Sequence, residues 1–414
     1  MNEAKQKFRL TSLERAWILY DVGNSAFVLL VATLIPIFFN ALAEGGGLSS
    51  VEYLAYWGYA ASAVTVITAV LSPIFGTLAD TRNFKKPIFT FCVAVGVIGC
   101  CAMGMASTWL PFLLIFIFAK VGFSGSLVFY DSMLSDVTVP DRMDEVSSKG
   151  YAWGYIGSCV PFVVCLALVL GAGSIGISQM TALNLALFIT AAWWLVTTLP
   201  LLRQYKQVHF VEVQEHAIRQ SFARIGHTLR HLKEDRQVFW FLLAFFCYID
   251  GVYTIIDMAT AYGTALGLDT TGLLLALLVT QIVAFPSALV FGRLSGQYPS
   301  GTLIPVCIAA YAGIALFAFF LKHQWQFWVL AVVVGMFQGG IQALSRSHFA
   351  KIIPPEKSGE YFGLFDICGK GASFLGTMIV SVGSQLTGSA NVGVGSLIVL
   401  FIVGFVLFRV SDQK

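Results

Sequence analysis

Twelve apolar stretches, each close to the length of a membrane-crossing helix, constrain this chain more than any other feature. They lie near 14–40, 54–78, 87–107, 110–134, 151–171, 179–202, 238–261, 271–293, 302–321, 325–349, 361–385 and 393–409. A helix needs about 20 mostly apolar residues to cross the hydrocarbon core. In lipid the backbone must satisfy its own hydrogen bonds, which favours helices. The ten-residue alternation of a membrane β-barrel is absent. The expected fold class is therefore all-α integral membrane, with about twelve transmembrane helices. Composition agrees: 57% of the 414 residues are apolar and 11% are charged, against about 25% charged in soluble domains. The apolar run Ala16 to Phe39 exceeds the roughly 7–15 residues of a signal peptide core and reads as a retained first span.

Charge placement sets the expected orientation. The net charge of +3 is too small for a nucleic-acid partner. Of the 25 Lys and Arg, Lys120 and Lys370 fall inside spans and Lys322 falls in a loop on the opposite side. The others sit at or beyond one membrane face, including Lys5, Lys7, Arg9, Arg82, Lys85, Lys86, Arg142, Arg293, Arg346, Lys351 and Lys357. Such a bias marks that face, and both termini, as cytoplasmic. A prokaryotic cell membrane is the expected location.

The longest polar segment divides the chain into a six-helix half at 1–202, a linker at 203–236 and a second six-helix half at 237–414. Ile218, Phe222, Ile225, Leu229 and Leu232 recur at helical spacing in the linker, which predicts an interfacial amphipathic helix. Four of the six His, at 209, 216, 227 and 231, lie in this linker at irregular spacing. A solvated linker is the expected reading, and no metal site is expected. The eight Cys all lie in apolar runs without a CxxC pair and read as small hydrophobes. The halves carry matching positions. Gly76 to Asp80 ends the second span, and Gly292 to Gly296 ends the eighth, 216 residues later. Internal repeats of this kind typify transporters whose site lies between the halves.

The loop Gly76-Thr77-Leu78-Ala79-Asp80-Thr81-Arg82-Asn83-Phe84-Lys85-Lys86 resembles the major facilitator signature G-x-L-A-D-R-x-G-R-K. Physically, Asp80 can cap a neighbouring helix and engage its positive end. The resemblance implies a gate latch formed by Gly76, Asp80, Arg82 and Lys85. Asn83 and Phe84 depart from the signature and predict a weaker latch. Gly296 replaces the Asp in the second copy, which is expected to lack that role. Tyr20-Asp21-Val22-Gly23-Asn24-Ser25-Ala26-Phe27 and Gln338-Gly339-Gly340-Ile341-Gln342-Ala343-Leu344-Ser345-Arg346-Ser347 resemble motifs of the autophagy-related vacuolar amino-acid effluxer-like branch of the major facilitator superfamily. So does Phe129-Tyr130-Asp131-Ser132-Met133-Leu134, with Asp131 where Asn is usual. This resemblance implies the major facilitator fold and efflux of amino acids or similar solutes.

Seven ionisable residues fall inside spans: Asp21, Lys120, Asp131, Asp250, Asp257, Asp366 and Lys370. Each would cost roughly 2.5–3.5 kcal/mol at a helix centre on insertion scales, so each needs a partner, water or a proton. Asp250 and Asp257, seven apart, share one helix face and are read together as sites for a solute ammonium or a proton. Asp21 and Asn24 open the first helix as a polar solute or coupling pair. Lys120 is a candidate for a substrate carboxylate, and Asp131 is expected near the cytoplasmic gate. Gln338 and Gln342 share a face and can donate hydrogen bonds to a solute. Asp366 and Lys370, four apart, are read as an intrahelical ion pair. The glycines of Gly150/Gly154 and Gly335/Gly339 are read as close-packing positions.

No GxSxG, P-loop or HExxH occurs, so neither an enzyme nor an ATP-driven pump is expected. No cofactor is expected. The reading is a monomeric secondary transporter of a small organic solute, proton-coupled in view of its buried carboxylates and working by alternating access; the rival is a carrier of lysophospholipid or another amphiphile.

Overall fold

The computed structural model describes residues 8–212, 230 and 232–412. Among these residues the chain is helical without strands, and one isolated parallel bridge pairs Thr81 with Val211. The first half contains α1 (Ser12–Ala32), α2 (Leu34–Gly45), α3 (Ser50–Ala79), α4 (Lys85–Met103) and α5 (Trp109–Ser132), followed by the single turn α6 (Leu134–Val137), α7 (Pro140–Leu170) and α8 (Gln179–Gln204). The second half contains α9 (Arg236–Ala265), α10 (Thr270–Leu294), α11 (Ser300–Phe319), α12 (Gln324–Ile352), α13 (Ser358–Thr387), α14 (Ala390–Gly395) and α15 (Ile398–Ser411). Eleven spans among the described residues are long and apolar enough to cross a bilayer. The 30-residue α13 stands where the order requires the remaining crossing.

Local chemistry sets the helix ends. Thr11 and Glu14 form a reciprocal capping box at the start of α1, as Ser49 and Glu52 do at α3. The first crossing breaks at Thr33, whose φ of −130° and ψ of −74° leave the helical region and separate α1 from α2. The fifth crossing starts well before the apolar run expected at 151. Pro140 sits at the first helical position with Asp141 beside it, and both favour a helix start. The stretch 213–229, where the amphipathic helix was expected, lies outside the described residues, as does His231. Residues 205–212 form an extended strap instead of a solvated loop.

Within the first half α1 packs on α7 and α8, and α4 on α5; within the second, α9 packs on α13 and α15, and α11 on α12. Across the halves α3 meets α13, while α7 meets α10 and α12. The glycine pairs serve close approach. A Cβ on Gly335 would fall 2.6 Å from the Thr280 carbonyl oxygen, and one on Gly154 would fall 2.9 Å from Ser25 Oγ. The beginning and end of the described chain lie on one face. Arg9 is bonded to Arg142 at the start of α7, Lys351 joins Asp144 of α7 to Ser300, and Gly301 abuts Asp412. We call this the terminal face.

Candidate functional site

Polar links between the halves gather toward the terminal face. Asp80, at the end of α3, accepts hydrogen bonds from the Gly359 amide at 2.7 Å and the Glu360 amide at 2.8 Å. These are free N–H groups of the first turn of α13, where the helix dipole also favours an anion. Gly76 makes this possible: a Cβ there would sit 2.2 Å from the Gly359 carbonyl oxygen. Asn83 stands where the signature has Gly, and its φ of +65° is in the left-handed region, which Asn tolerates better than most residues. Lys85 is fully buried. Its ammonium donates to Ser358 Oγ at 2.8 Å and lies 3.7 Å from Asp80 and 3.8 Å from Asp136. Arg82 does not join this cluster. It points outward to Glu212 at 3.4 Å and stacks over Phe210.

The strap at 205–212 closes the same cluster. Asp136 accepts the Tyr205 hydroxyl, the His209 amide at 2.8 Å and the His209 ring at 3.0 Å. Val211 donates to the Asp80 carbonyl at 2.8 Å and accepts from the Arg82 amide at 3.2 Å. Gln207 donates to the Ala79 carbonyl at 3.0 Å. His209 is thus tied to Asp136, correcting the solvated reading. Burial pushes the Asp136 carboxyl up, but the hydrogen bond from His209, the Lys85 charge and Tyr205 outweigh it and hold it below the usual range. The bond to Asp136 raises His209 above its ordinary value, against the opposing effect of burial. Burial pushes Asp80 up to about 6, although the Lys85 charge and the two α13 amides pull the other way.

Arg346 is a second junction. It was grouped with the cations of the membrane face, yet it is 2% exposed between the halves. Its guanidinium donates to Asp131 at 3.0 Å, to Ser147 Oγ at 2.9 Å and to the Ser147 carbonyl at 3.0 Å, and lies 3.7 Å from Asp21. The rings of Trp17, Tyr130 and Tyr151 surround it. Asp131 therefore faces a guanidinium of the other half. A further link joins Lys351 to Asp144 at 2.7 Å.

Deeper in the bundle the structure brings together residues that the sequence treated separately. Lys120, midway along α5, packs its ammonium 4.7 Å from the Phe123 ring and acts electrostatically on Asp257 of α9. Asp257 is open to solvent even though protein surrounds it on most sides, so it faces an internal space that water can enter. Tyr253 stands within electrostatic reach of Asp131, Asp257, Asp366 and Arg346. Gln342 accepts from Tyr155 at 3.1 Å across the halves. Gln338 Oε1 and Asn24 Nδ2 are buried without a hydrogen-bond partner.

Asp250 does not share the environment of Asp257. It is fully buried, and its Oδ1 accepts from the Gly376 amide at 2.8 Å and from Thr254 at 3.3 Å. Both carboxylates lie on one stripe of α9, but the stripe passes from tight contact with α13 into the open space. Asp366 accepts from Ser72 of the first half at 2.7 Å. Its expected partner is another matter, for the Lys370 side chain lies outside the described residues. Sequence reasoning missed Arg346, Tyr151, Tyr155, Asp136 and Lys351 as members of these junctions. For Arg346 a signal existed, because Gln338, Gln342 and Arg346 recur at intervals of four.

The relatives agree with this architecture. The model of the family described as "Vacuole effluxer Atg22 like" matches residues 12–141 and 135–414. The chain is 42% identical over 411 residues to the MFS-type transporter YxiO of Bacillus subtilis (strain 168), covering 98% of this chain and 96% of that one. It is 25% identical over 315 residues to autophagy-related protein 22 of Saccharomyces cerevisiae (strain ATCC 204508 / S288c), covering 66% of this chain and 59% of that one. The chain thus spans little more than half of that fungal relative. Among solved structures it resembles the human organic anion transporter MFSD10 at a TM-score of 0.73 and 13% identity, covering 96% of this chain and 98% of that one. It resembles the major facilitator transporter FucP in its outward conformation at 0.72 and 16%, covering 97% and 98%. These likenesses show the fold. The relatives are transporters and not enzymes, and this chain, an integral membrane protein with the major facilitator fold, belongs to the vacuole effluxer Atg22-like family.

Proposed function

We propose that the protein moves a small zwitterionic solute, an amino acid or a close analogue, by proton-coupled alternating access. The observation that carries this reading is that Lys120 and Asp257, opposite charges from opposite halves, lie within electrostatic reach of one another while Asp257 is open to solvent. Lys120 would take the solute carboxylate and Asp257 its ammonium. Tyr253, Tyr155, Gln338 and Gln342 would supply hydrogen bonds around them. A solute that replaces the Lys120–Asp257 interaction with two of its own would draw the halves together, which is differential binding to one conformation. The halves 1–202 and 237–414 would be the moving bodies. The terminal face would be cytoplasmic in a prokaryotic membrane, with the monomer as the working unit. The junctions at Asp80 and Arg346 would then be inner-gate closures, and this arrangement would be the state open to the outside.

The test is tracer uptake into proteoliposomes holding the full chain, offered an amino-acid mixture and, separately, a lysophospholipid. Saturable amino-acid counterflow, lost together with gradient-driven uptake in Asp257→Asn and in Lys120→Ala, is expected. Lysophospholipid movement without amino-acid movement would overturn the zwitterion reading.

A further inference from the structure

Asp21 and Asp131 share one counter-charge. Arg346 bonds directly to Asp131 at 3.0 Å and stands 3.7 Å from Asp21 Oδ2. That oxygen is buried without a hydrogen bond, and the side chain is only 8% exposed. The Tyr130 hydroxyl and the Asn24 amide approach the carboxylate, yet Tyr130 Oη and Asn24 Nδ2 are themselves buried and unbonded. Gly150 leaves the space for this meeting, since a Cβ there would lie 2.9 Å from Asp21 Oδ2 and 3.1 Å from Arg346 Nη2. Two carboxylates against one guanidinium leave an excess negative charge in a place that water barely reaches. Two carboxylates in one site resolve such a conflict by retaining a proton.

Groups from six helices enter the balance. They are Tyr20 from α1, Tyr130 and Asp131 from α5, Tyr151 and Tyr155 from α7, Tyr253 from α9, Arg346 from α12 and Asp366 from α13. Arg346 is the only cation among these named groups. Asp366, which acts on Asp131, adds negative potential.

We propose that Asp21, Asp131 and Arg346 form the coupling-proton site, with the proton carried on Asp21 while Asp131 holds Arg346. This rests on the transport reading above and gives it a proton carrier separate from the solute residues. The proton enters through Asp131, whose side chain is 21% exposed against 8% for Asp21 and 3% for Arg346. On Asp21 the new O–H has the Tyr130 oxygen, which approaches the carboxylate, as the acceptor toward which it can turn. The protonated triad is one neutral ion pair plus a neutral acid, so the halves can close over it without stranding a charge. Both carboxylates belong to the first half and Arg346 to the second. Parting of the halves withdraws Arg346, which favours keeping the proton, and admits water, which favours the carboxylate; release to the terminal side requires that hydration outweigh the lost cation.

The experiment follows the carboxyl groups of the full-length protein by pH-dependent infrared difference spectroscopy, alongside proteoliposome transport. Expected is a protonated-carboxyl band in the wild type that disappears in Asp21→Asn. In Asp131→Asn it should also disappear, because the remaining carboxylate then has Arg346 to itself. The ratio of pH-driven accumulation to counterflow should fall to its gradient-free level in both variants. A protonated-carboxyl spectrum left unchanged by both substitutions, or a sodium gradient that drives accumulation where a pH gradient does not, would overturn the assignment. If no offered solute moves, the transport reading fails while the infrared result still decides the proton site.

Discussion

Gly76 and Gly292 close the second and eighth crossings at equivalent points, and each faces a helix of the opposite half. A Cβ on Gly76 would meet the Gly359 carbonyl oxygen of α13 at 2.2 Å; one on Gly292 would meet Ser148 Cβ of α7 at 2.8 Å. The close approach is repeated, but the fastening is not. At the first seam Asp80 caps α13, Lys85 is buried under it, and the strap ties in through Asp136 and His209. At the second seam Gly296 offers no side chain, and the nearby link is Lys351 to Asp144, with side chains 25% and 11% exposed. A duplicated scaffold thus keeps its shape requirement in both copies while its charge has become one-sided. One seam is dry and bonded to the linker, and the other is wetter and simpler.

The largest expected effect comes from breaking the dry seam. Asp80→Ala removes the acceptor of two α13 amides and one of the two carboxylates beside buried Lys85. Loss of one partner of a buried pair costs about 3–5 kcal/mol. Asp144→Ala at the wetter seam removes the acceptor of Ser347 Oγ and of the Lys351 ammonium, the charged contact being worth about 1.5–3 kcal/mol, reduced by its contact with water. Hydrogen exchange of the Gly359 and Glu360 amides should therefore accelerate strongly in Asp80→Ala and much less in Asp144→Ala. Equal acceleration in both would erase the asymmetry.

The strap makes the first seam pH-sensitive, which sharpens the contrast. His209 is raised by its bond to Asp136, so its contribution is complete below the ordinary His value and is lost as pH rises through the raised one. Asp136 is held low, so its contribution is present above the ordinary Asp value and is lost as pH falls through the lowered one. Strap docking should be firmest between those limits. With His209 partly exposed, the pair is worth about 1 kcal/mol or less. Exchange of the Val211 and Arg82 amides should rise as pH passes from acid to alkaline through the His range in the wild type. In His209→Gln it should lose that dependence beyond the intrinsic pH effect. A pH response that persists in the variant would assign the sensor to another group.

How much of this was legible depended on the range of each interaction. The crossings could be read from the chain because hydropathy is a local property, and even the break at Thr33 changes no assignment. A carboxylate one residue past a helix end invites a capping partner, so the bonding of Asp80 follows from its position in the loop. Tertiary distance hides the rest. Asp136 and His209 are 73 positions apart, and nothing local in either segment announces the other. Asp250 and Asp257 share a stripe, but the depth at which tight packing gives way to an open space is set by α13. Arg346 followed the four-residue rhythm of Gln338 and Gln342, and was concealed by its nearness to the cations at the end of α12.

The smallest expected effect comes from restoring symmetry. Gly296→Asp gives the second copy the carboxylate that the first copy uses. Its backbone is not in the left-handed region, and a Cβ there meets nothing closer than the Arg293 carbonyl oxygen at 3.4 Å. The new side chain would face the start of α7, as Asp80 faces α13. That helix begins at Pro140, which has no amide hydrogen to give, and Asp141 already occupies its first turn. The added anion therefore meets repulsion as well as the helix dipole, and at a wet seam the net gain is about half a kcal/mol or less. Thermal unfolding in detergent should shift upward slightly or stay unchanged, with the exchange of the Gly359 and Glu360 amides unaffected. A stabilisation as large as the loss in Asp80→Ala would mean that the second seam needed only its missing carboxylate, and that the one-sided charge reflects the Gly296 substitution alone instead of the buried Lys85 and the strap that surround Asp80.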